Sequence, residues 1–148
     1  MATDYWPDED SNPIAPGLDI GFFQASGTVT EGYPVKFGTG AAGAIKCQNT
    51  SANGDSFGIA LKSGTTGDYI PVAITGVLKL TANGSGTSIS TGDTVVSDGS
   101  GKVVKATWSS ATMDKLKTFG GNSYVLGIAL QPSTADGDEI LVLLGKTL

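Results

Sequence analysis

Histidine and arginine are both missing from this chain of 148 residues, and cysteine occurs only once. Without histidine the chain lacks the commonest metal ligand and general base, and without arginine it lacks the usual bidentate partner of phosphate. The single cysteine, Cys47, excludes a disulfide within the chain and a cysteine metal cluster, and a lone thiol on a strand is most often a small buried apolar side chain. We therefore expect a protein that is not an enzyme, with no catalytic residues, no metal site and no cofactor.

Basic patches and long apolar runs are also missing. The net charge is -5, and it arises from the first 35 residues, which hold six acidic residues and no lysine, whereas the remainder holds eight acidic residues and nine lysines. We expect no nucleic-acid partner, because there is no basic stripe, and no membrane partner, because no run is long enough to span a bilayer. The first six residues lack the basic and apolar regions of a signal peptide, so we expect a protein made and used in a cytoplasm, or in an assembly built there.

Glycine, in contrast, is abundant, and part of it belongs to an internal repeat. Residues 58–76 and 127–145 both run through Gly-Ile-Ala-Leu, a polar turn, Gly-Asp and an apolar strand before they end in glycine. The segments upstream, 31–47 and 91–106, also match. A repeat over about 28–80 and 88–145 predicts one mainly β domain, residues 21–148, that forms a small β-barrel from two similar halves.

Local patterns predict the strands and one helix. Alternating apolar and polar residues predict strands at 34–37 and 44–47, on both sides of a glycine turn. The clearest hairpin is expected over 94–105, around the turn at 98–101. Two strands, 70–74 and 77–80, are expected on either side of Gly76, and Pro71 places the first of them at a sheet edge or at a bulge. Residues 108–119 have helical spacing and predict the only helix, which is short.

Residues 1–20 are predicted to be an extended N-terminal arm. Three prolines break regular structure there, and acidic and other polar residues keep the segment solvated. Two interpretations are open: a disordered terminus with incidental aromatics, or a strap that docks on a partner, for which Trp and Tyr are common anchors. We favour the strap. The residues expected to bind the partner are Tyr5, Trp6, Pro7, Pro13, Ile14, Pro16 and Leu18.

Gly-Asp pairs recur at 67–68, 92–93 and 137–138. They are typical of turns in which glycine takes a positive φ and aspartate accepts hydrogen bonds from backbone amides. Calcium loops also use these residues, but they need several oxygen ligands at close spacing, and only 136–139 approaches that pattern. The glycines of 38–43 have the spacing of a dinucleotide-binding fingerprint. They lie between two predicted strands, however, and no predicted helix follows whose N-terminus could bind the phosphate. We interpret these glycines as turn residues.

The second half contains motifs of a known family. It has a Gly-Asp turn with paired valines at 92–96, the loop Asp-Gly-Ser-Gly at 98–101, Leu-Gly-Ile-Ala-Leu at 126–130, and a last Gly-Asp turn before a terminal Ile-Leu-Val-Leu-Leu strand. In these motifs the chain, over about residues 28–145, resembles the capsid-cement or head-decoration proteins of tailed bacteriophages. The arm matches in character, and the insert at 108–119 departs from the pattern.

That resemblance implies a small β-tulip or β-barrel domain on the outside of the virion head, with no chemistry of its own. It implies a homotrimer that binds the major capsid protein, stabilises contacts between capsomers against the pressure of packed DNA, and uses its N-terminal arm to reach across the capsid protein. Two other hypotheses are open. One is a β-rich fibre or receptor-binding module of the head or tail, and the other is an enzyme or ligand-binding barrel, which would need a pocket of convergent polar groups.

Overall fold

The computed structural model describes residues 18–38, 45–52, 55–85, 87–107 and 125–145. Within these residues the chain forms nine β-strands and no helix, which confirms the predicted mainly β fold. The described residues therefore contain no helix long and apolar enough to cross a membrane. The helix predicted over 108–119 and the arm up to residue 17 lie outside them. The strands are β1 (Asp19–Ala25), β2 (Pro34–Phe37), β3 (Lys46–Asn49), β4 (Gly58–Ala60), β5 (Tyr69–Thr81), β6 (Thr94–Ser97), β7 (Val103–Lys105), β8 (Gly127–Ala129) and β9 (Glu139–Leu144).

Each half closes into a small ring of paired strands, and the long strand β5 belongs to both rings. In the first ring the order is β1-β3-β2-β4-β5, and β5 pairs back onto β1. In the second ring the C-terminal part of β5 is followed by β9, β8, β6 and β7, and a bridge from Ala82 to Val103 returns β7 to the end of β5. Closure of this kind satisfies strand edges within the chain. The predicted small β-barrel with two similar halves is therefore confirmed.

The two rings use the same strand register. In each ring a valine of the second strand pairs with the glycine that opens the Gly-Ile-Ala strand, and a short parallel contact closes the ring. A position in one ring can therefore be compared directly with its counterpart in the other. The pairs that define this common register are Val35–Gly58 and Ala25–Cys47 in the first ring, and Val95–Gly127 and Ala82–Val103 in the second.

The interior of each ring is filled by eight buried side chains that correspond one to one. Both sets mix small and large side chains, which is common inside a narrow barrel. Cys47 occupies the position that Val103 holds in the second ring, and burial raises the pKa of its thiol, which confirms the predicted role as a small buried apolar side chain. The first set is Ala25, Val29, Val35, Cys47, Phe57, Ala60, Ile70 and Val72, and the second, in the same order, is Ala82, Ile89, Val95, Val103, Leu126, Ala129, Ile140 and Val142.

Strand β5 runs without interruption from Tyr69 to Thr81, so the prediction of two separate strands is wrong. Gly76, at φ 116°, lies inside the strand and not at its end. Residues before Gly76 pair with β1 and β4, and residues from Gly76 onward pair with β9. Because glycine adopts a positive φ at little cost, one strand can turn at this residue from the first ring into the second.

Pro71 lies in the middle of the sheet, so the predicted sheet edge or bulge is also wrong. It is opposite Phe22 of β1, and on its other side its carbonyl accepts a hydrogen bond of 2.8 Å from the Leu61 amide. Its counterpart in the second ring, Leu141, donates its amide to the Gln131 side chain at 3.0 Å, beyond the end of β8. Proline is tolerated at this position because the amide that it lacks would have no partner in the ladder.

The two rings pack against each other through the outer face of β4 and β5. Ile59 and Ala73 belong to strands of the first ring, yet both are fully buried in one cluster with Leu78 and Leu144 of the second half. Leu18, just before β1, packs against the same cluster. This shared cluster joins the two rings.

Candidate functional site

Of the seven residues predicted to form the binding arm, the structure describes one. Leu18 is half-buried against the cluster that joins the two rings, so its side chain contributes to packing within the chain. Strand β1 begins directly after it, at Asp19, where the prediction has the arm continue to residue 20. The other six, Tyr5, Trp6, Pro7, Pro13, Ile14 and Pro16, lie outside the described residues.

The three Gly-Asp pairs form the turns that the sequence predicts. Their glycines have φ of 97°, 91° and 89°, and each aspartate accepts a hydrogen bond of 2.8 to 3.0 Å from the backbone amide three residues upstream. The amide of Ser90 lowers the pKa of Asp93, and Lys105, 3.1 Å away, lowers it further. The amides of Ala135 and Thr134 lower the pKa of Asp138 in the same way. These carboxylates therefore stabilise turns within the chain.

The acidic run 136–139, the nearest approach to a calcium loop, is divided among separate partners. Asp136 pairs with Lys102 at 3.0 Å, Asp138 accepts turn amides, and Glu139 pairs with Lys79 at 3.6 Å. A calcium site needs several oxygens that converge on one point. Across the described residues, no group of three His, Cys, Asp or Glu side chains could hold a metal ion.

Asp98 organises the turn between β6 and β7. Its carboxylate accepts hydrogen bonds from the Ser100 amide (2.8 Å), the Ser100 hydroxyl (2.7 Å), the Lys102 amide (2.9 Å) and the Asn83 side chain (2.9 Å). Partial burial raises the pKa of Asp98, but the hydrogen bonds from Ser100, Asn83 and Lys102 outweigh it, and the net shift is downward. Because Asn83 follows the end of β5, this carboxylate ties the hairpin to the strand that both rings share.

Large apolar side chains lie exposed on the outer face of the ribbon formed by β1 and β5. We call Ile20, Phe22 and Tyr69, together with the half-buried Pro71, the aromatic stripe. Phe22 and Tyr69 are each 69% exposed, and Ile20 is 49% exposed. Phe22 is directly opposite Pro71 across the ribbon, and Tyr69 lies two residues along on the same face. Contiguous exposed apolar surface is typical of interaction sites.

In the second ring the two aromatic positions are charged, whereas the positions of Ile20 and Pro71 remain apolar. The register places Lys79 where Phe22 lies and Glu139 where Tyr69 lies. The stripe was not among the predicted site residues. The repeat does match Tyr69 with Glu139, which is a usable signal, but the match of Phe22 with Lys79 requires the knowledge that β5 serves both rings.

Two joined β-rings with turn-bound carboxylates define a small β-structural module, and solved structures contain the same fold. The structure described as "head fiber gp8.5 N base in bacteriophage phi29" superimposes with a TM-score of 0.58 over 86% of this chain and 94% of that chain, at 16% sequence identity. At that identity the likeness shows the fold alone. No curated protein matches the chain.

Over residues 15–144 the sequence matches the phage cement protein family, and the chain belongs to that family. The resemblance to capsid-cement proteins is therefore confirmed. The family name describes a structural component of the phage particle that binds the capsid, and not a class of enzyme.

Proposed function

We propose that this cement protein binds the outer surface of the phage head and stabilises the contacts between capsomers. The partner is the major capsid protein, and the place is the exterior of the virion, after assembly in the host cytoplasm. The family match over residues 15–144 carries this proposal, because it spans both rings and reaches into the arm. Catalysis, a cofactor, nucleic acid and a membrane have no part in it.

The arm, with Tyr5, Trp6 and Ile14 as its apolar anchors, is proposed as the strap that holds the capsid. Ordering about twenty residues costs roughly 1–2 kcal/mol for each. Burial of a large apolar side chain stabilises the bound state by about 1.5–3 kcal/mol. Side-chain burial alone does not balance the ordering, so the arm should become ordered only where its backbone also pairs with a strand of the partner.

We also propose that the protein acts as a homotrimer. A single arm should bind weakly, because the burial of its side chains does not balance the cost of ordering its backbone. Linking three arms raises the effective concentration of each at the capsid. Mass measurement in solution, with and without heads, tests whether the trimer exists before it binds. A monomer mass in solution together with single, isolated copies on the head would contradict it.

Removal of residues 2–17 tests the strap. The deletion leaves Leu18 in place, because Leu18 packs against the core. The truncated protein should unfold within a few degrees of the full chain, since both rings are intact, but it should no longer sediment with expanded heads. The milder variant Tyr5→Ser with Trp6→Ser should give an intermediate loss. If the truncated protein binds heads as well as the full chain, the arm is not the strap.

A fibre or receptor-binding module is the second candidate, and the likeness to the phi29 head fiber base favours it. That likeness concerns the fold, whereas the family match concerns the sequence of this chain, so we prefer the cement function. Electron microscopy of decorated heads distinguishes the two. A cement protein occupies every equivalent position of the shell, and a fibre occupies few.

A further inference from the structure

We propose that the aromatic stripe (Ile20, Phe22, Tyr69 and Pro71) is the face of the folded domain that lies against the phage shell, on an apolar patch of the major capsid protein. This inference rests on the proposed function, and it adds the surface that makes the contact. It does not depend on the protein being a trimer.

The internal repeat indicates that folding does not require aromatic residues at these positions. The second ring has the same strands in the same register, and there Lys79 and Glu139 form an ion pair, 3.6 Å apart, at the positions of Phe22 and Tyr69. Both rings close around equivalent interiors, so the outer side chains are free to differ. Two aromatic side chains that are each 69% exposed, where a charged pair also suits the fold, indicate a surface that a partner covers.

The size of the stripe limits what it can bind alone. With about 200 Å² for each large aromatic side chain, its exposed apolar area is roughly 400 Å². A stable protein interface buries about 800 Å² on each partner. The stripe is therefore too small to hold two copies of this chain together, and its size suits a contact made beside the proposed strap.

The position of the stripe joins it to the proposed strap. Strand β1 starts at Asp19, and the stripe starts at the next residue, Ile20. A capsid protein that binds the arm therefore meets the stripe next along the chain. For this reason we assign the stripe to the capsid and not to a second copy.

The chemistry of the stripe defines the patch that it fits. None of its four side chains carries a charge at neutral pH, and only the Tyr69 hydroxyl can hydrogen-bond. The complementary surface should therefore be apolar, with one polar group at the position of that hydroxyl. Because salt screens charges but not apolar contacts, this part of the binding should persist at high ionic strength.

The test exchanges the stripe for its counterpart in the same molecule. The double variant Phe22→Lys, Tyr69→Glu reproduces the ion pair of Lys79 and Glu139, so it should unfold at a temperature close to that of the unmodified chain. Cosedimentation with heads that lack the protein should show at least tenfold weaker binding, at low and at high salt. If the double variant folds poorly, Tyr69→Ser is the milder change, and it should weaken binding at least threefold.

A control pair, Leu130→Lys with Leu143→Glu, changes exposed apolar residues of the second ring and should leave binding unchanged. An unmodified chain that does not bind heads would overturn the proposed function itself. If the unmodified chain binds heads and the double stripe variant binds equally well, only the assignment of the stripe as a capsid contact is overturned. Equal losses in the control pair, or a stripe variant that loses its oligomeric mass along with head binding, would also overturn the assignment to the capsid.

Discussion

Single positions of the first ring can be judged against their counterparts in the second. Ser56 directly precedes Phe57, so it corresponds to Val125, which precedes Leu126. The Ser56 hydroxyl is buried and has no hydrogen-bond partner among the described residues. A buried hydroxyl in this state costs about 1–3 kcal/mol. The second ring avoids that cost with an apolar residue at the same position.

Replacing Ser56 with alanine or valine should therefore raise the free energy of unfolding by about 1 kcal/mol. Urea unfolding measures the change. Thr50 is the matched control, because it is also buried but its hydroxyl donates to the Asp55 carbonyl, and Thr50→Val should destabilise the protein. Loss of stability in both variants would show that the Ser56 hydroxyl is satisfied.

Three aspartates make the protein sensitive to acid. The pKa values of Asp93, Asp98 and Asp138 are lowered in the folded state, below the value of about 3.9 in an unfolded chain. Such a carboxylate contributes stability above its unfolded pKa, and the contribution is lost as the pH falls through its folded pKa.

The unfolding temperature should therefore be insensitive to these groups from pH 7 down to about pH 5, and it should fall progressively below that value. Asp98→Asn should lower the unfolding temperature at neutral pH, because the amide cannot accept all the hydrogen bonds, and should make the decline in acid shallower. Thermal unfolding followed by circular dichroism at several pH values measures both effects. An acid decline as steep in Asp98→Asn as in the unmodified chain would exclude Asp98 as a contributor.

Among the elements, β4 and β8 carry glycine where a neighbouring backbone comes closest. A Cβ atom on Gly58 would lie 2.4 Å from the Ala73 carbonyl oxygen, and one on Gly127 would lie 2.3 Å from that of Leu143. The repeated Gly-Ile-Ala-Leu motif therefore has a packing reason in both halves. The glycine and the alanine of the motif point to the side of the strand where little space is available. The isoleucine and leucine point to the other side, into the shared cluster or towards the outer face.

Gly58→Ala should lower the free energy of unfolding by about 2 kcal/mol, because the obstacle is backbone and cannot move aside. Gly127→Ala should have a similar effect. Gly27→Ala is the control: its Cβ would lie 3.6 Å from the Gln48 side chain, an ordinary contact, so it should be neutral or stabilising by about 0.5 kcal/mol. Chemical denaturation measures all three. A neutral Gly58→Ala would contradict the close packing of β4 against β5.

Elements also differ in how far the sequence determines them. The hairpin of β6 and β7 was predictable, because a glycine-rich turn sequence separates two short runs that contain paired valines. Strand β5 was not, because an apolar run with one internal glycine can form one strand or two, and the choice depends on which strands pair with it. In β1 the run 21–23 is apolar on both faces, so the sequence does not reveal which phenylalanine points inward. In the structure Phe23 packs inward, with its ring centroid 4.8 Å from that of Phe57, and Phe22 faces outward.

For the whole molecule, the internal repeat predicted the architecture and the family motifs predicted the function. Two halves with similar sequences fold alike, so the repeat was sufficient for the two-ring body and its duplicated interior. The binding surface was harder to predict, because the exposure of a side chain depends on the tertiary arrangement of strands that the repeat does not specify. Of the seven residues predicted for the arm, six lie outside the described residues.

Binding across the outer surface is proposed to reinforce the phage head. The most direct measurement is the temperature at which heads that lack the protein release their DNA, before and after purified protein is added to saturation. We predict a release temperature several degrees higher with the full chain, and none of that gain with the chain that lacks residues 2–17. An unchanged release temperature on heads that are fully decorated would contradict reinforcement of the head by this protein.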